Sequence, residues 1–206
     1  ERGEQVLKLF AGLIAQSIQK ESLVTQLREA NAALIAHSYT DALTGLPNRR
    51  AIFEDLTTLF SLARHLKRNA IIAFIDLDDF KLINDRYGHE AGDQFLIEVG
   101  KRLTEEKQQD DIIGRLGGDE FLVASLSQPH QDGDNAQLTL LKTRLSACIA
   151  GEYWLGSVHI IYPGASFGVI EVDPAATDPD SALRAADVAM YQDKKGKSKS
   201  RFLTID

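Results

Sequence analysis

Hydrophobic and polar positions divide the chain near residue 40 into two parts with different patterns. Residues 4 to 37 contain no proline and carry apolar side chains at helical spacing, which predicts one long helix. An apolar stripe at steps of four, three and four is typical of a seam between paired helices. It consists of Leu23, Leu27, Ala30 and Leu34. We therefore expect residues 1–38 to form a helical stalk that joins two copies of the chain and continues from an upstream sensor domain.

The second part, residues 39–206, alternates strand and helix patterns. A continuous apolar run from Ala70 to Ile75, ending at Asp76, predicts a strand buried on both faces. Further strand patterns cover 111–116, 120–126, 157–162, 165–172 and 201–205, and the first four are expected to form two successive hairpins. A turn with Gly45 and Pro47 precedes a helical pattern that runs to about His65, and further helical patterns cover 80–86, 94–106, 136–150 and 180–194. Helices between mostly antiparallel strands predict an α+β fold, a sheet layered with helices.

Composition excludes several classes of protein. The chain has 206 residues and a net charge of −7, so it can form one sizeable domain, and a broad basic surface for nucleic acid is not expected. Its single cysteine, Cys148, cannot form an internal disulfide. No apolar run of about 18 residues and no secretion leader occur, so we expect a cytoplasmic protein without a membrane segment.

Three carboxylates are candidates for a metal site. Asp76 ends the predicted central strand, and Asp119 and Glu120 follow the glycine pair of the first hairpin. If these strands are neighbours, the acids converge at one end of the sheet, where a divalent cation would offset their repulsion. Oxygen ligands without His or Cys favour Mg²⁺ or Mn²⁺ over zinc. The alternative is that the two aspartates cap turns and that Glu120 is a solvated strand residue.

A second group of polar residues lies downstream of Asp76. Lys81, Asn84 and Asp93 follow it by five, eight and seventeen residues. The amine can neutralise phosphate oxygens, and the amide and the carboxylate can bind the edge of a purine. An ionised Asp93 only accepts hydrogen bonds, so it suits the N1–H and N2–H₂ donors of guanine and not adenine. The alternatives are a solvated lysine, an Asn84 that closes its own helix and an Asp93 that caps the next helix.

Four separated motifs occur in an order that resembles one family. They are "DALTGLPNRR", "DLDDFKLINDRYGHEAGD", "RLGGDEF" and "ADVAMYQDKK", and the resemblance covers residues 39–205. The chain resembles the GGDEF family of diguanylate cyclases. This implies a fold similar to the palm of nucleotidyl cyclases and polymerases, a central and mostly antiparallel sheet wrapped by helices. It also implies that two GTP molecules, one on each chain of a homodimer, condense into cyclic di-GMP and release two pyrophosphates.

The resemblance implies roles for individual residues at the metal site. Asp76, Asp119 and the carbonyl of Leu77 are similar to the family's magnesium ligands, and Glu120 completes the acidic cluster. Asp119 is the expected proton acceptor for the attacking 3′-hydroxyl.

Further matches concern the substrate. Asn84 and Asp93 correspond to positions that read guanine, and Gly117 and Gly118 would let the hairpin lie against the nucleotide. Lysines at two matching positions are expected to contact the phosphates. These are Lys81 and Lys194.

Two positions depart from the family pattern. Many relatives carry an inhibitory product site, Arg-x-x-Asp, but here Gln108 replaces the arginine that would precede Asp111. Since Gln cannot pair with phosphate and stack on guanine as Arg does, we expect weak or absent product inhibition at this site. Relatives also often place an arginine four residues after the C-terminal lysine, where this chain has Ser198; Lys197 or Lys199 could substitute for it.

Two other functions remain open from the sequence. The first is a catalytically weak module that binds GTP or cyclic di-GMP and regulates another protein; the intact acidic and guanine-reading positions argue against it. The second is a cyclase that accepts ATP as one substrate, which the carboxylate of Asp93 disfavours.

Overall fold

In the computed structural model, the described residues are 16, 19–26, 38–108, 110–128, 136–197 and 203–204. The chain forms two compact units, Glu1–Tyr39 and Thr40–Asp206. In the first unit, residues 19–26 are helical and Leu23 is 65% exposed. The other three positions of the predicted seam, Leu27, Ala30 and Leu34, lie outside the described residues, so pairing through this stripe stays a prediction. No helix of the described part is long and apolar enough to cross a membrane.

The second unit contains the helices and strands that build the fold. Its helices are α1 (Arg49–Leu66), α2 (Phe80–Tyr87), α3 (His89–Glu105), α4 (Ala136–Ile149) and α5 (Pro179–Gly196). Its strands are β1 (Ala70–Leu77), β2 (Ile112–Gly117), β3 (Glu120–Leu126), β4 (Gly151–Leu155), β5 (Val158–Tyr162), β6 (Ala165–Val172) and β7 (Leu203–Thr204). The α+β class predicted from the sequence is confirmed.

The main sheet has the strand order β2-β3-β1-β6, and every pair in it is antiparallel. The predicted hairpin of β2 and β3 is present, but the second predicted hairpin is wrong. Strand β5 pairs with β4 and β7 in a separate small sheet, while β6 pairs with β1 along its whole length. The physical reason is that β1 is buried on both faces and needs a hydrogen-bonding partner at each edge, and β6 supplies the second one.

Helix α3 begins five residues earlier than expected. Its first residue is His89, and only Gly88, with φ 86° and ψ 163°, separates it from α2. A glycine adopts such a positive φ without steric cost, which permits the sharp elbow between the two helices. Asp93 therefore lies inside α3 and is not its N-cap, so the capping alternative for this residue is wrong.

Alternation along β1 sends its side chains into two cores. Ile71, Ala73 and Ile75 pack in the core that includes α3, whereas Ala70, Ile72 and Phe74 pack in the core that includes α1 and α5. Because successive strand residues point to opposite faces, Asp76 continues the second series. The strand thus delivers a carboxylate to the α1–α5 side of the sheet at its end.

The close contact of α5 with β6 gives a test of this packing. A methyl group on Gly168 would lie 1.9 Å from the carbonyl oxygen of Ala186 and 2.4 Å from the backbone nitrogen of Met190. Backbone atoms cannot move aside cheaply, so Gly168→Ala should lower the free energy of unfolding by about 3 kcal/mol or more. Urea denaturation measures this change. Gly196→Ala is the matched control, since nothing lies within 4 Å of its added methyl group; equal stability of both variants would contradict the packing.

Candidate active site

Strand register brings the three predicted acidic residues to one end of the sheet. Asp76 of β1 lies opposite Glu120 of β3, and the N–H of Leu77 donates to the carbonyl oxygen of Asp119 at 3.1 Å. Opposed residues of an antiparallel pair have Cβ atoms about 4.5–5.5 Å apart. Asp76 is 9% exposed, and the other two acids are half-buried. The β2–β3 turn therefore holds two acidic side chains beside the buried end of β1.

Burial and clustering together raise the pKa values of Asp119 and Glu120, as expected for neighbouring acids. Burial raises the pKa of Asp119, and the charge of Asp76 raises it further. Burial likewise raises the pKa of Glu120. The charge of Arg49 lowers this pKa, and the charge of Asp119 raises it further. Like charges in a partly dehydrated site favour the neutral form of at least one of them unless a cation is near.

Lys194 of α5 supplies one such cation. Its Nζ lies 2.6 Å from Oδ1 of Asp76, whose side chain is 12% exposed. Burial opposes the lysine's charge, but the hydrogen bond to Asp76 and the charges of Asp76 and Asp119 outweigh it and raise the pKa of Lys194. The predicted phosphate-contacting lysine is thus placed directly against the predicted metal-binding aspartate.

The donor set suits a hard divalent cation in its chemistry. Asp76, Asp119 and Glu120 offer oxygen atoms only, and their mutual repulsion is the kind that Mg²⁺ or Mn²⁺ relieves. Among the described residues, however, no three His, Cys, Asp or Glu side chains form a ready ligand group. In this arrangement Lys194 neutralises Asp76, so a metal ion would compete with that ammonium group for the carboxylate.

The turn after β1 is held by side chains from three other elements. The carboxylate of Asp78 accepts hydrogen bonds from Ser166 Oγ at 2.6 Å and from Lys197 Nζ at 3.1 Å. Its carbonyl oxygen accepts from the hydroxyl of the buried Tyr162 at 2.9 Å. The next residue, Asp79, has φ 58° and precedes α2 without a side-chain cap bond. The first N–H groups of α2, four residues after Asp76 in the chain, therefore have no side-chain cap, and an anion could bind them.

The predicted guanine-reading residues lie on the two sides of the α2–α3 elbow. A methyl group on Gly92 would come within 1.9 Å of Asn84 Oδ1, so the absence of a side chain there lets the Asn84 amide lie against α3. Asp93 is the next residue of α3 and is exposed. Lys81 is exposed on α2. The structure thus brings Asn84 close to the helix that carries Asp93, and leaves both charged groups open to a ligand.

The glycine pair of the hairpin is required by its backbone. Gly117 has φ 138° and Gly118 has φ 54°, backbone conformations that residues with a Cβ atom rarely adopt. Arg115 fixes this turn, because Nε and Nη2 donate to the carbonyl oxygen of Gly118 at 3.1 and 2.7 Å. Its Nη1 donates to Asp41 Oδ1 at 2.8 Å.

Sequence reasoning missed this clamp on the hairpin. The backbone N–H of Arg115 also donates to the carbonyl oxygen of Pro47 at 2.9 Å, and Asp41 accepts from the N–H of Thr44. The segment "DALTGLP" is therefore hydrogen-bonded to the hairpin that carries Asp119. The signal was present, since Arg115 belongs to "RLGGDEF" and Asp41 to "DALTGLPNRR", but no spacing rule connects residues 74 positions apart.

Asp111, the aspartate of the Arg-x-x-Asp motif in which Gln108 replaces the arginine, has a structural partner. Asp111 is buried, and its Oδ2 accepts from Arg144 Nη2 at 3.2 Å and from the N–H of Gln108 at 3.0 Å. The carboxylate that would bind product therefore already forms an ion pair that links the residue before β2 to α4.

Lys197, which could substitute for the missing arginine, already contacts other groups of the chain. Lys197 Nζ donates to Asp78 and to the carbonyl oxygen of Ala165, and it lies 3.4 Å from Asp193 Oδ2. An ammonium group has three donors, and three acceptors of the chain surround this one. Ser198 and Lys199 lie outside the described residues.

Comparison with known proteins identifies the family. The family profile described as "Diguanylate cyclase, GGDEF domain" matches residues 38–200. The chain belongs to the GGDEF family. This GGDEF domain is 67% identical over 203 residues to the diguanylate cyclase DgcP of Escherichia coli strain K12, covering 98% of this chain and 58% of DgcP. It is 34% identical over 174 residues to the cyclic di-GMP phosphodiesterase PdeR of the same strain, covering 84% of this chain and 25% of PdeR.

A solved structure supports the same assignment. The coiled coil and GGDEF domain of DgcB from Caulobacter crescentus, in complex with c-di-GMP, superimposes with a TM-score of 0.78 at 25% identity, covering 91% of this chain and 96% of that one. The GGDEF domain described here spans a little over half the length of DgcP and a quarter of PdeR, so these relatives carry further sequence.

The network behind the site predicts a pH-dependent contribution to stability. Burial alone would raise the pKa of Asp193, but hydrogen bonds from Lys142 and from the N–H of Phe167, with the charges of Lys142 and Lys197, lower it below its usual 3.8. A depressed folded-state pKa stabilises the fold above the unfolded value, and this contribution is lost as the pH falls through the folded value.

Asp193→Asn should therefore lower the free energy of unfolding by about 1–3 kcal/mol at pH 6, with a smaller difference from the wild type near pH 3. Urea denaturation at a series of pH values measures both quantities. A difference that stays constant from pH 6 to pH 3 would show that the ionised carboxylate is not the stabilising group.

Proposed function

We propose that this GGDEF domain is a diguanylate cyclase that condenses two GTP into cyclic di-GMP and releases two pyrophosphates. The observation that carries the proposal is the strand register that sets Asp76 opposite Glu120, with Asp119 beside them and Lys194 2.6 Å from Asp76. Such a cluster of acids beside a lysine ammonium group suits the binding of a metal-complexed triphosphate. The similarity to DgcP at 67% identity supports the same activity.

In this proposal each domain binds and orients one GTP. Asn84 and Asp93 bind the guanine edge, since an ionised carboxylate accepts from N1–H and N2–H₂. Lys81 and Lys194 bind phosphate oxygens, together with the uncapped N–H groups of α2. Gly117 and Gly118 leave room for the nucleotide at the hairpin.

The chemical step is one phosphoryl transfer at each nucleotide. The 3′-hydroxyl of one GTP attacks the α-phosphate of the other, Asp119 accepts the proton, and the bond to pyrophosphate breaks. Asp76, Asp119, Glu120 and the carbonyl of Leu77 would hold Mg²⁺. When bound, Mg²⁺ stabilises the charge that grows on the α-phosphate and on the leaving group.

The reaction requires two domains that face each other, because each one binds a single nucleotide. We assign this pairing to a homodimer formed through the N-terminal helix, of which residues 19–26 are helical with Leu23 exposed. An upstream sensor domain would then control activity by changing the register of the paired helices, in the cytoplasm where GTP is available.

A regulatory module that binds nucleotide without turnover is the second candidate. The observation that favours it is the 34% identity to PdeR, a relative that is named as a cyclic di-GMP phosphodiesterase and not as a cyclase. The two candidates differ in whether cyclic di-GMP forms from GTP.

Asp119→Ala should abolish cyclic di-GMP formation from GTP and Mg²⁺. Removing a metal ligand and proton acceptor costs several kcal/mol of transition-state stabilisation, a rate loss on the order of a thousandfold or more. The measurement is product formation by mass spectrometry across a range of protein concentrations, where a dimer predicts a steeper than linear dependence. Asp110→Ala, at an exposed acid before β2, is the matched control and should retain activity. GTP binding without product in the wild type would favour the regulatory module.

Added cyclic di-GMP should leave the initial rate unchanged within about twofold, because Gln108 cannot pair with phosphate as arginine does. Gln108→Arg alone should not restore inhibition, since Asp111 stays paired with Arg144. Initial rates at increasing product concentration test both statements. Strong inhibition of the wild type by product would contradict the first, and inhibition gained by Gln108→Arg would contradict the second.

A further inference from the structure

A cavity of about 740 Å³ opens beside the hairpin, on the α1–α5 side of the sheet. Its walls come from the first turn of α1, the start of α5 and the end of β2, including Leu116 and Gly117. This cavity borders the acidic cluster through Arg49, whose Nη2 lies 3.9 Å from Glu120 Oε2. Arg49 is therefore the lining residue through which the cavity adjoins the acidic cluster.

Most charged side chains around the cavity already have a close partner. Arg115 donates to Asp41 at 2.8 Å, and Asp180 accepts from Arg184. Arg50 lies 3.6 Å from Glu54, one turn along α1. These pairs neutralise one another and hold the walls of the cavity.

Arg49 differs from its neighbours in having unused donors. Its Nε donates to the carbonyl oxygen of Leu116 at 3.3 Å, and its contact with Glu120 at 3.9 Å is too long for a hydrogen bond. The side chain is 70% exposed. A guanidinium group has five N–H donors, so among the described residues most of those of Arg49 lack an acceptor.

The position of Arg49 complements that of Lys194. The lysine contacts Asp76 from α5, and Arg49 approaches Glu120 from α1, so the two cations flank the acidic cluster from different helices. The Leu116 contact anchors the guanidinium at its Nε and leaves the planar Nη pair to bind two oxygens of one anion. This is the geometry in which arginine binds phosphate most strongly.

We propose that Arg49 is a catalytic residue that donates to phosphate oxygens of the bound nucleotide. The inference rests on the proposed function, because it takes GTP as the ligand of the acidic cluster. It adds a substrate contact from α1 that compensates for the commitment of Lys197 to Asp78 and Ala165. The weak contact with Glu120 is exchanged for a bidentate contact with phosphate when the nucleotide binds.

Binding of 3′-deoxy-GTP with Mg²⁺ tests the contact without turnover, because this analogue lacks the attacking hydroxyl. Arg49→Gln should weaken its binding by roughly 10-fold to 100-fold, the loss of a charge-assisted bidentate contact. Arg49→Lys should recover part of the affinity. Arg50→Gln is the matched control at the adjacent exposed arginine and should change affinity less than about twofold. Thermal denaturation shows whether each variant remains folded, which the high exposure of both side chains predicts.

Inorganic pyrophosphate separates a phosphate contact from a purely positioning role. If Arg49 binds phosphate, Arg49→Gln should weaken pyrophosphate inhibition of the reaction and its binding to the protein by a similar factor. If Arg49 only orients Glu120, pyrophosphate binding is unchanged and Arg49→Gln has no effect in a Glu120→Gln background; that result overturns the proposal. Equal affinity of the Arg49→Gln and wild-type proteins for 3′-deoxy-GTP also overturns it. A wild type that makes no cyclic di-GMP contradicts the proposed function alone, since both binding measurements still report on Arg49.

Discussion

The antiparallel pairing of β1 with β3 and β6 determines the chemistry of this domain. Seven successive pairs from Ala70↔Leu126 to Asp76↔Glu120 fix the register with β3, and a one-residue slip would turn every side chain of β1 to the other face. The buried apolar pattern of β1 excludes that slip. The same pattern therefore forces a carboxylate to the end of a dry strand opposite a second carboxylate, an arrangement that is stable only with a nearby cation.

The surrounding elements stabilise this acidic end of the sheet with pairs of opposite charge. Lys194 neutralises Asp76, and Lys197 contacts both Asp78 and Asp193, which ties the turn after β1 to α5. Lys142 contacts Asp193 from α4 and so joins α4 to α5. On the other side, Arg115 links the glycine turn to Asp41. The glycine turn and the α2–α3 elbow meanwhile remain exposed, and the α2 N-terminus is half-buried. Substrate positioning requires such accessible groups on a supported backbone.

Local sequence patterns predicted the parts of the site that lie within one or two elements. The apolar run before Asp76 predicts a buried strand, because a strand buried on both faces requires apolar residues. The glycine pair before Asp119 predicts a turn, because a positive φ favours glycine. Pairing of β6 with β1 and the start of α3 at His89 were not predicted, since the first depends on which strand fills a free sheet edge and the second on one glycine elbow. The Arg115–Asp41 contact and the commitment of Asp111 to Arg144 depend on tertiary proximity, which spacing along the chain does not encode.

We infer that the Asp76 carboxylate, at the end of β1, would hold a divalent cation together with the nucleotide. Electron paramagnetic resonance of Mn²⁺, titrated with the protein at a fixed concentration of 3′-deoxy-GTP, measures this most directly, with the nucleotide alone as the reference. We expect protein-dependent Mn²⁺ binding that Asp76→Asn weakens at least about tenfold, the effect of losing one ionised ligand. Unchanged Mn²⁺ binding in Asp76→Asn would show that Asp76 is not a metal ligand and serves only as the structural partner of Lys194.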